Sequence, residues 1–159
     1  MMPLIEGFKK TATEFQRQYN ERWIDIERLK EPMPRFDFDM HMGADGIVQR
    51  YLQQKEMDFR HISCEVSRDS SILIDGRAYG MSIGQTNIDT VTVFAHELDN
   101  KYLAFNAHMG NRPGTWDEFA TVDIEGGIKG PAIDFMLHQQ NIKRETGYRL
   151  GCNARLTDD

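Results

Sequence analysis

Residues 36 to 43 alternate between apolar and polar side chains without interruption. The apolar positions are Phe36, Phe38, Met40 and Met42, and the polar positions are Asp37, Asp39 and His41. Successive side chains of a β-strand point to opposite faces of a sheet, so this pattern predicts a strand with one apolar face. The opposite face carries two carboxylates and an imidazole. It is either the solvated side of a half-buried sheet or part of a site with metal or acid–base chemistry.

Residues 4 to 29 have a different period, with apolar side chains at steps of three and four. This stripe consists of Leu4, Ile5, Phe8, Ala12, Phe15, Tyr19, Trp23 and Ile26. The spacing predicts one long amphipathic helix, which Pro32 and Pro34 end. We expect the stripe to pack on a sheet. The alternative, a dimerisation seam, favours aliphatic residues at heptad positions over aromatic ones.

Short apolar segments separated by turn residues occupy the middle of the chain. After a short helix over residues 47 to 56 with Asp45 as its N-cap, the predicted strands are 59–67, 70–74, 77–84, 90–98 and 102–109. Asp75-Gly76 is typical of a tight hairpin turn, so the predicted sheet is mostly antiparallel.

The last third of the chain predicts a loop and a second long helix. Residues 110 to 130 are rich in glycine and read as an irregular segment. Pro131 is placed to open a helix through about residue 145, with Gly147 as its C-cap. The complete prediction is a single α+β domain over residues 1–159. Its long N-terminal helix and its C-terminal helix pack on a curved, mostly antiparallel sheet.

Length, composition and charge limit the classes of function that the chain can have. The chain has 159 residues, of which 40% are apolar and 28% charged, and a formal net charge of −6. A domain of this size typically buries about 68–70% of its unfolded surface, so no metal or disulfide is needed for folding. We also expect no cofactor. The basic residues form no run longer than two, which argues against nucleic-acid binding.

The lack of targeting signals and the spacing of the cysteines indicate the cellular compartment. No apolar run approaches the about 20 residues that span a bilayer, and the start lacks a secretory signal. Cys64 and Cys152 lie far apart and match no metal or redox spacing, so we interpret them as free thiols. These features predict a cytoplasmic protein that does not act in a membrane.

Candidate chemistry centres on the polar face of the strand over residues 36–43. Side chains two positions apart on a strand lie about 6.6–6.8 Å from each other, so this face alone offers one ion at most two ligands, and we assign no metal. A carboxylate beside an imidazole makes an acid–base pair the sharpest enzymatic hypothesis. His96, in Ala-His-Glu-Leu, lacks the second histidine of a metalloprotease motif, because position 100 is Asn100. We interpret it as a core or pocket histidine.

Three segments resemble the NTF2-like family, which includes the SnoaL-like α+β cones. They are Gly-Ala-Asp-Gly-Ile-Val-Gln-Arg-Tyr-Leu at 43–52, Phe-Arg-His-Ile at 59–62 and Leu-Ile-Asp-Gly-Arg-Ala-Tyr-Gly at 73–80. They are similar to the family's short helix, to a strand opening with histidine, and to an Asp-Gly turn before a strand. The resemblance covers residues 8 to 109. It implies a homodimer and a pocket between helix and sheet, reached by His61, Asp37, Asp39 and His41.

Two functions follow from these observations. The first is a non-catalytic binding module for a protein partner or a small, partly apolar ligand, with Asp37, Tyr19, Trp23 and His96 as candidate ligand-binding residues. The alternative is a small NTF2-like enzyme, a dehydratase, isomerase or cyclase. It would use Asp39, His41 and His61 as catalytic residues in a pocket.

Overall fold

A computed structural model describes the protein over residues 2–84, 86–98, 101–111, 121–141 and 143–156. The first elements are helix α1 (Met2–Asn20), helix α2 (Ile26–Lys30), strand β1 (Phe36–Gly43) and helix α3 (Ile47–Gln53). Strands follow to the end: β2 (Met57–Asp58), β3 (His61–Arg68), β4 (Ile72–Ile83), β5 (Thr86–Leu98), β6 (Tyr102–Gly110), β7 (Thr121–Lys129), β8 (Ala132–Gln140) and β9 (Thr146–Arg155).

Eight of these strands form one antiparallel meander. Their order is β1-β3-β4-β5-β6-β7-β8-β9, and the two-residue β2 pairs with the end of β4. Every neighbouring pair in this order is antiparallel. Among the described strands, β1 pairs only with β3 and β9 only with β8. These two strands are therefore the edges of the sheet.

The register gives the sheet one apolar and one polar face, because directly opposed residues share a face. One rung on the apolar face runs through Phe38, Val66, Ile74, Ala95, Phe105, Gly126, Phe135 and Cys152. A rung on the other face, here called the polar row, runs through His41, Ser63, Arg77, Thr92, His108, Asp123, His138 and Arg149. The strand predicted over residues 36–43 is confirmed as β1.

The predicted N-terminal helix is interrupted, and its apolar stripe stays about half exposed although Phe8 contacts Phe36 of β1. Helix α1 ends at Asn20, and Arg22 adopts a left-handed conformation with φ 56°. Ile24 then exchanges two backbone hydrogen bonds of 3.0 Å with Gly130, which pulls the chain out of the helix. Asp25 caps α2 by accepting from the backbone N–H groups of the first helical turn. The prediction of one helix packed on the sheet is therefore wrong.

The predicted C-terminal helix is also wrong. Its residues form strand β8, and the expected C-cap Gly147 lies within β9. Ile133, Phe135 and Leu137 lie on the apolar face, so these residues follow the two-residue period of a strand. Two residues of the predicted helix interior, Gln139 and Gln140, sit at a register shift opposite β9.

Two glycine-containing segments that are predicted as a turn and a loop also lie inside strands. Gly76 of the predicted Asp75-Gly76 turn pairs with Cys64 and Val93 in the middle of β4, which merges two predicted strands. Gly126 and Gly127, expected in an irregular segment, belong to β7. The Tyr102 ring lies over Gly127, where a Cβ atom would collide with it. This glycine is used for close packing rather than for a loop. Positions 112–120 of that expected segment lie outside the described residues.

Helix α2 builds the buried cluster of the molecule at one end of the sheet. Ile24, Ile26 and Leu29 are buried together, and four side chains at the adjacent strand ends pack on them: Ile72, Leu103, Ile128 and Leu156. Lys30 lies beside this cluster and donates to Glu97 at 2.6 Å and to the carbonyl oxygen of Ser70 at 3.1 Å. A buried ion pair thus joins α2 to β5.

The rest of the sheet has little buried interior. Among the described strand residues, only Gly110 and Gly127 are buried. The chain exposes 10914 Å² in total, whereas a compact monomer of this mass exposes about 8,200 Å². The sheet therefore leaves most of its apolar face partly accessible.

Candidate functional site

The polar residues predicted as catalytic lie together near one end of the paired strands β1 and β3. His41 Nε2 is 3.1 Å from Asp39 Oδ1 on β1. The rings of His41 and His61 stack with centroids 6.1 Å apart, and His61 stacks in turn on Tyr79 at 6.3 Å. Strand alternation places Asp39 and His41 on one face, and the pairing of β1 with β3 adds His61 to that face.

This group lies on an open surface. The side chains of Asp39 and His41 are 67% and 64% exposed. Asp37, two residues before Asp39, is also exposed and forms no ion pair with any described residue. Solvent reaches the pair freely, and such exposure is typical of a recognition surface rather than of a water-excluding active site.

His96 lies further along the polar face, and its ring contacts Phe94 with centroids 4.9 Å apart. Its Nδ1 atom is buried and has no hydrogen-bond partner in the described part of the chain. The structure does not bring it to the Asp39–His41 pair, because β3 and β4 lie between β1 and β5.

A second His–Asp pair was not singled out by the sequence. His108 Nδ1 lies 2.5 Å from Asp123 Oδ1, and His138 is the next residue along the polar row. His138 Nε2 in turn contacts Thr146 Oγ1 at 3.1 Å. The sequence does not predict this pair, because the residues of β7 and β8 are predicted to form a loop and a helix instead of neighbouring strands. The described residues contain no group of three or more His, Cys, Asp or Glu side chains arranged to hold a metal ion.

Other polar side chains of this face are internally paired. Arg77 donates two hydrogen bonds to Asp75, of 2.8 and 2.6 Å, and these hold the pKa of the Asp75 carboxyl below its usual value. Burial and the neighbouring Asp134 carboxylate raise the pKa of the Tyr102 phenol. The Asp75–Arg77 pair lies within β4, whereas the Tyr102–Asp134 contact reaches from β6 across β7 to β8.

Helix α1 has two contrasting sides. The side toward the rest of the chain is small and polar: Gly7 meets the Pro34 ring, and the buried Gln18 accepts a 2.7 Å hydrogen bond from the Asp25 backbone. The apolar stripe lies about 100° around the helix from that side, and within it Phe8 packs edge-on against Phe36 of β1 with ring centroids 5.2 Å apart. We call its exposed members the α1 stripe: Leu4, Ile5, Phe8, Phe15 and Tyr19, which are 41–54% exposed.

The two aromatic residues predicted to bind a ligand lie at and just after the C-terminal end of α1. Tyr19 belongs to the α1 stripe, with the Arg22 guanidinium 5.7 Å from its ring centroid. Trp23 lines a cavity of about 450 Å³ beside Gly130, which is bordered by one carboxylate, Asp25, and three cations: Lys101, Lys129 and Arg155. The structure thus separates Tyr19 and Trp23 from the histidines instead of gathering them in one pocket.

None of the helices in the described residues is long and apolar enough to cross a membrane. We compared the chain with protein-family models, curated proteins and solved structures, and found no match in any of the three comparisons.

Proposed function

We propose that this protein is a non-catalytic binding module whose main ligand is another protein. One observation carries the proposal: in the described strands, only two glycines of a two-faced sheet are buried. Folded chains gain most of their stability from buried apolar surface, so an apolar face left accessible is typical of a surface that a partner covers. The resemblance to NTF2-like proteins adds the expectation of a homodimer.

The amount of exposed surface supports the same conclusion. The excess over a compact monomer is roughly 2,700 Å², which exceeds the about 800 Å² that each partner contributes to a standard interface. The α1 stripe alone presents roughly 450 Å² of apolar area, as large as the biggest patch on a typical monomer. Surface of this extent provides room for more than one contact.

Acid–base catalysis remains the alternative, supported by the 3.1 Å contact between Asp39 and His41. Both side chains are open to solvent, however, and catalysis of this kind benefits from a closed, dry site.

We place the protein in the cytoplasm, since Cys64 and Cys152 form no disulfide and reduced thiols fit that compartment.

A small ligand is the second candidate, and the cavity at Trp23 favours it. An indole, aliphatic walls from Ile24 and Ile26, and a cationic border would suit a partly apolar anion. Isothermal titration with an aromatic carboxylate such as indole-3-acetate tests this function. Binding that Trp23→Ala abolishes would support it, and equal heats from both proteins would refute it.

Substitutions in the α1 stripe test the protein-binding function. The variant Ile5→Ser/Phe15→Ser/Tyr19→Ser removes three apolar side chains that are 50–54% exposed. We expect it to unfold at a temperature close to that of the unmodified protein but to form smaller associated species in sedimentation velocity, because one of its contact surfaces is removed. A matched control, Lys9→Ser/Gln16→Ser, changes exposed residues outside the stripe and should keep both properties. A strong loss of stability in the stripe variant alone would contradict the proposal, because it would place the stripe in the protein's own core.

A further inference from the structure

We infer that the protein binds a second copy of itself by pairing the edge strand β1 of one copy with the edge strand β9 of the next. This inference rests on the proposed protein-binding function and names its partner. Three observations carry it: the directions of the two edges, the continuity of their faces, and their opposite charge.

The first observation is strand direction. The sheet path contains eight strands, and every neighbouring pair is antiparallel, so β1 and β9 run in opposite directions. A second copy placed beside the first, in the same orientation, therefore brings its β1 antiparallel to β9. Such pairing extends the meander without any change in strand geometry, and the unpaired backbone groups of both edges gain partners. Strand addition at an open edge is a common mode of protein recognition.

The second observation is that the faces match. On β1 the apolar face carries Phe36, Phe38, Met40 and Met42. On β9 the corresponding face carries Tyr148, Leu150, Cys152 and Ala154. Because a copy in the same orientation presents the same face on the same side, these two sets form one continuous apolar surface. Phe38, Leu150 and Tyr148 are each about half exposed or more, at 48%, 56% and 72%, and pairing covers their sides.

The third observation is charge. The polar face of β1 is acidic through Asp37 and Asp39, whereas that of β9 is basic through Arg149 and Arg155. Neither arginine forms an ion pair within the described part of the chain, although Arg149 lies 3.5 Å from the Met136 sulfur. Opposite charges across paired strands stabilise them, and like charges destabilise them. Pairing two β1 edges or two β9 edges would bring like charges together, so the charge pattern selects β1 with β9.

An interface of this kind is heterologous, because two different edges meet. Repetition closes into a ring if the rotation between copies returns to the start, and otherwise produces a filament. Either product fits the inference, and both leave the α1 stripe available for a separate contact.

Charge exchange between the edges tests the inference. One variant, Asp37→Lys/Asp39→Lys, makes both edges basic, and the other, Arg149→Glu/Arg155→Glu, makes both acidic. We expect each alone to weaken self-association about tenfold or more, since each pairing juxtaposes like charges. A 1:1 mixture, and a single chain carrying all four changes, should assemble like the unmodified protein. Sedimentation velocity over a concentration series measures all of these, and circular dichroism verifies that each variant is folded.

The control variant Glu125→Lys/Lys129→Glu alters charges on the same face but on the interior strand β7, and it should assemble normally. If the unmodified chain assembles and the two edge variants assemble equally well, the edge pairing is refuted while protein binding stands. If the edge variants fail but their mixture is not restored, the pairing of β1 with β9 is likewise refuted. An unmodified chain that stays monomeric and carries no bound protein refutes both the pairing and the proposed function.

Discussion

The buried ion pair between α2 and the sheet gives the sharpest stability prediction. Lys30 Nζ lies 2.6 Å from Glu97 Oε1, and the two side chains are only 9% and 7% exposed. Lys30→Met would keep the length and apolar stem of the side chain but leave the Glu97 carboxylate buried, with the Ile72 backbone N–H as its remaining described donor. Removing one partner of a buried pair costs about 3–5 kcal/mol.

Such a loss is a large part of the 5–15 kcal/mol that typically stabilises a domain. For a chain of this length it corresponds to a melting temperature lower by roughly 6–20 °C. Urea unfolding followed by circular dichroism measures the free energy of unfolding directly. The matched control is Lys10→Met, because the Lys10–Glu6 pair is 3.0 Å long but about two thirds exposed on each side. That control should cost less than about 0.5 kcal/mol.

A double variant separates charge from shape. Lys30→Met/Glu97→Met replaces the whole pair with apolar side chains, which is often neutral or stabilising by about 1–4 kcal/mol relative to an ion pair. We expect it to recover most of the stability lost by Lys30→Met. If Lys30→Met costs no more than Lys10→Met, then α2 is not anchored to the sheet through this pair and the reasoning is refuted.

Three further predictions concern pH and close packing. Burial opposes the charge of Lys30, but its hydrogen bonds to two carboxylates outweigh burial and raise its pKa. The stabilisation from this charge is complete below about pH 10.4 and is lost as pH rises through the folded-state pKa. Lys30→Met should therefore flatten the alkaline limb of a curve of stability against pH. Gly7→Val should destabilise the protein by about 1–3 kcal/mol in urea unfolding, since even a Cβ atom would lie 2.8 Å from a proline ring, whereas Gly43→Ala, with open space at its Cβ, should not. Gly127→Ala should displace the Tyr102 ring and let its raised pKa fall toward about 10, measurable by ultraviolet absorbance during alkaline titration; an unchanged titration would show that the ring does not depend on this glycine.

Local alternation in the sequence was enough to predict several strands. The strand from Phe36 to Gly43 has the predicted bounds, and β6 begins at the predicted Tyr102. Each of these segments lies between turn or proline residues and keeps a two-residue period. The shared face of Asp39 and His41 follows from the same period, because alternate residues of a strand lie on one side.

Longer-range relations could not be predicted from single segments. Residues 131–145 contain polar and apolar side chains on both faces of β8, so a helical and a strand period fit them almost equally. The turn propensity of Asp75-Gly76 was outweighed by pairing with strands on both sides. The orientation of α1 depends on Gly7 and Gln18 contacting the chain beyond the helix, which the apolar stripe alone cannot reveal. The His108–Asp123 pair likewise required β7 to be recognised as a strand.

The most direct test of the proposed function is the native mass of the gently purified protein, compared with its denatured mass of 18.4 kDa. Native mass spectrometry at micromolar concentration reports bound protein and subunit number together. We predict a multiple of the chain mass, because the accessible apolar face and the complementary edges need a protein partner. A bare 18.4 kDa monomer that neither associates nor carries a bound protein would contradict the account.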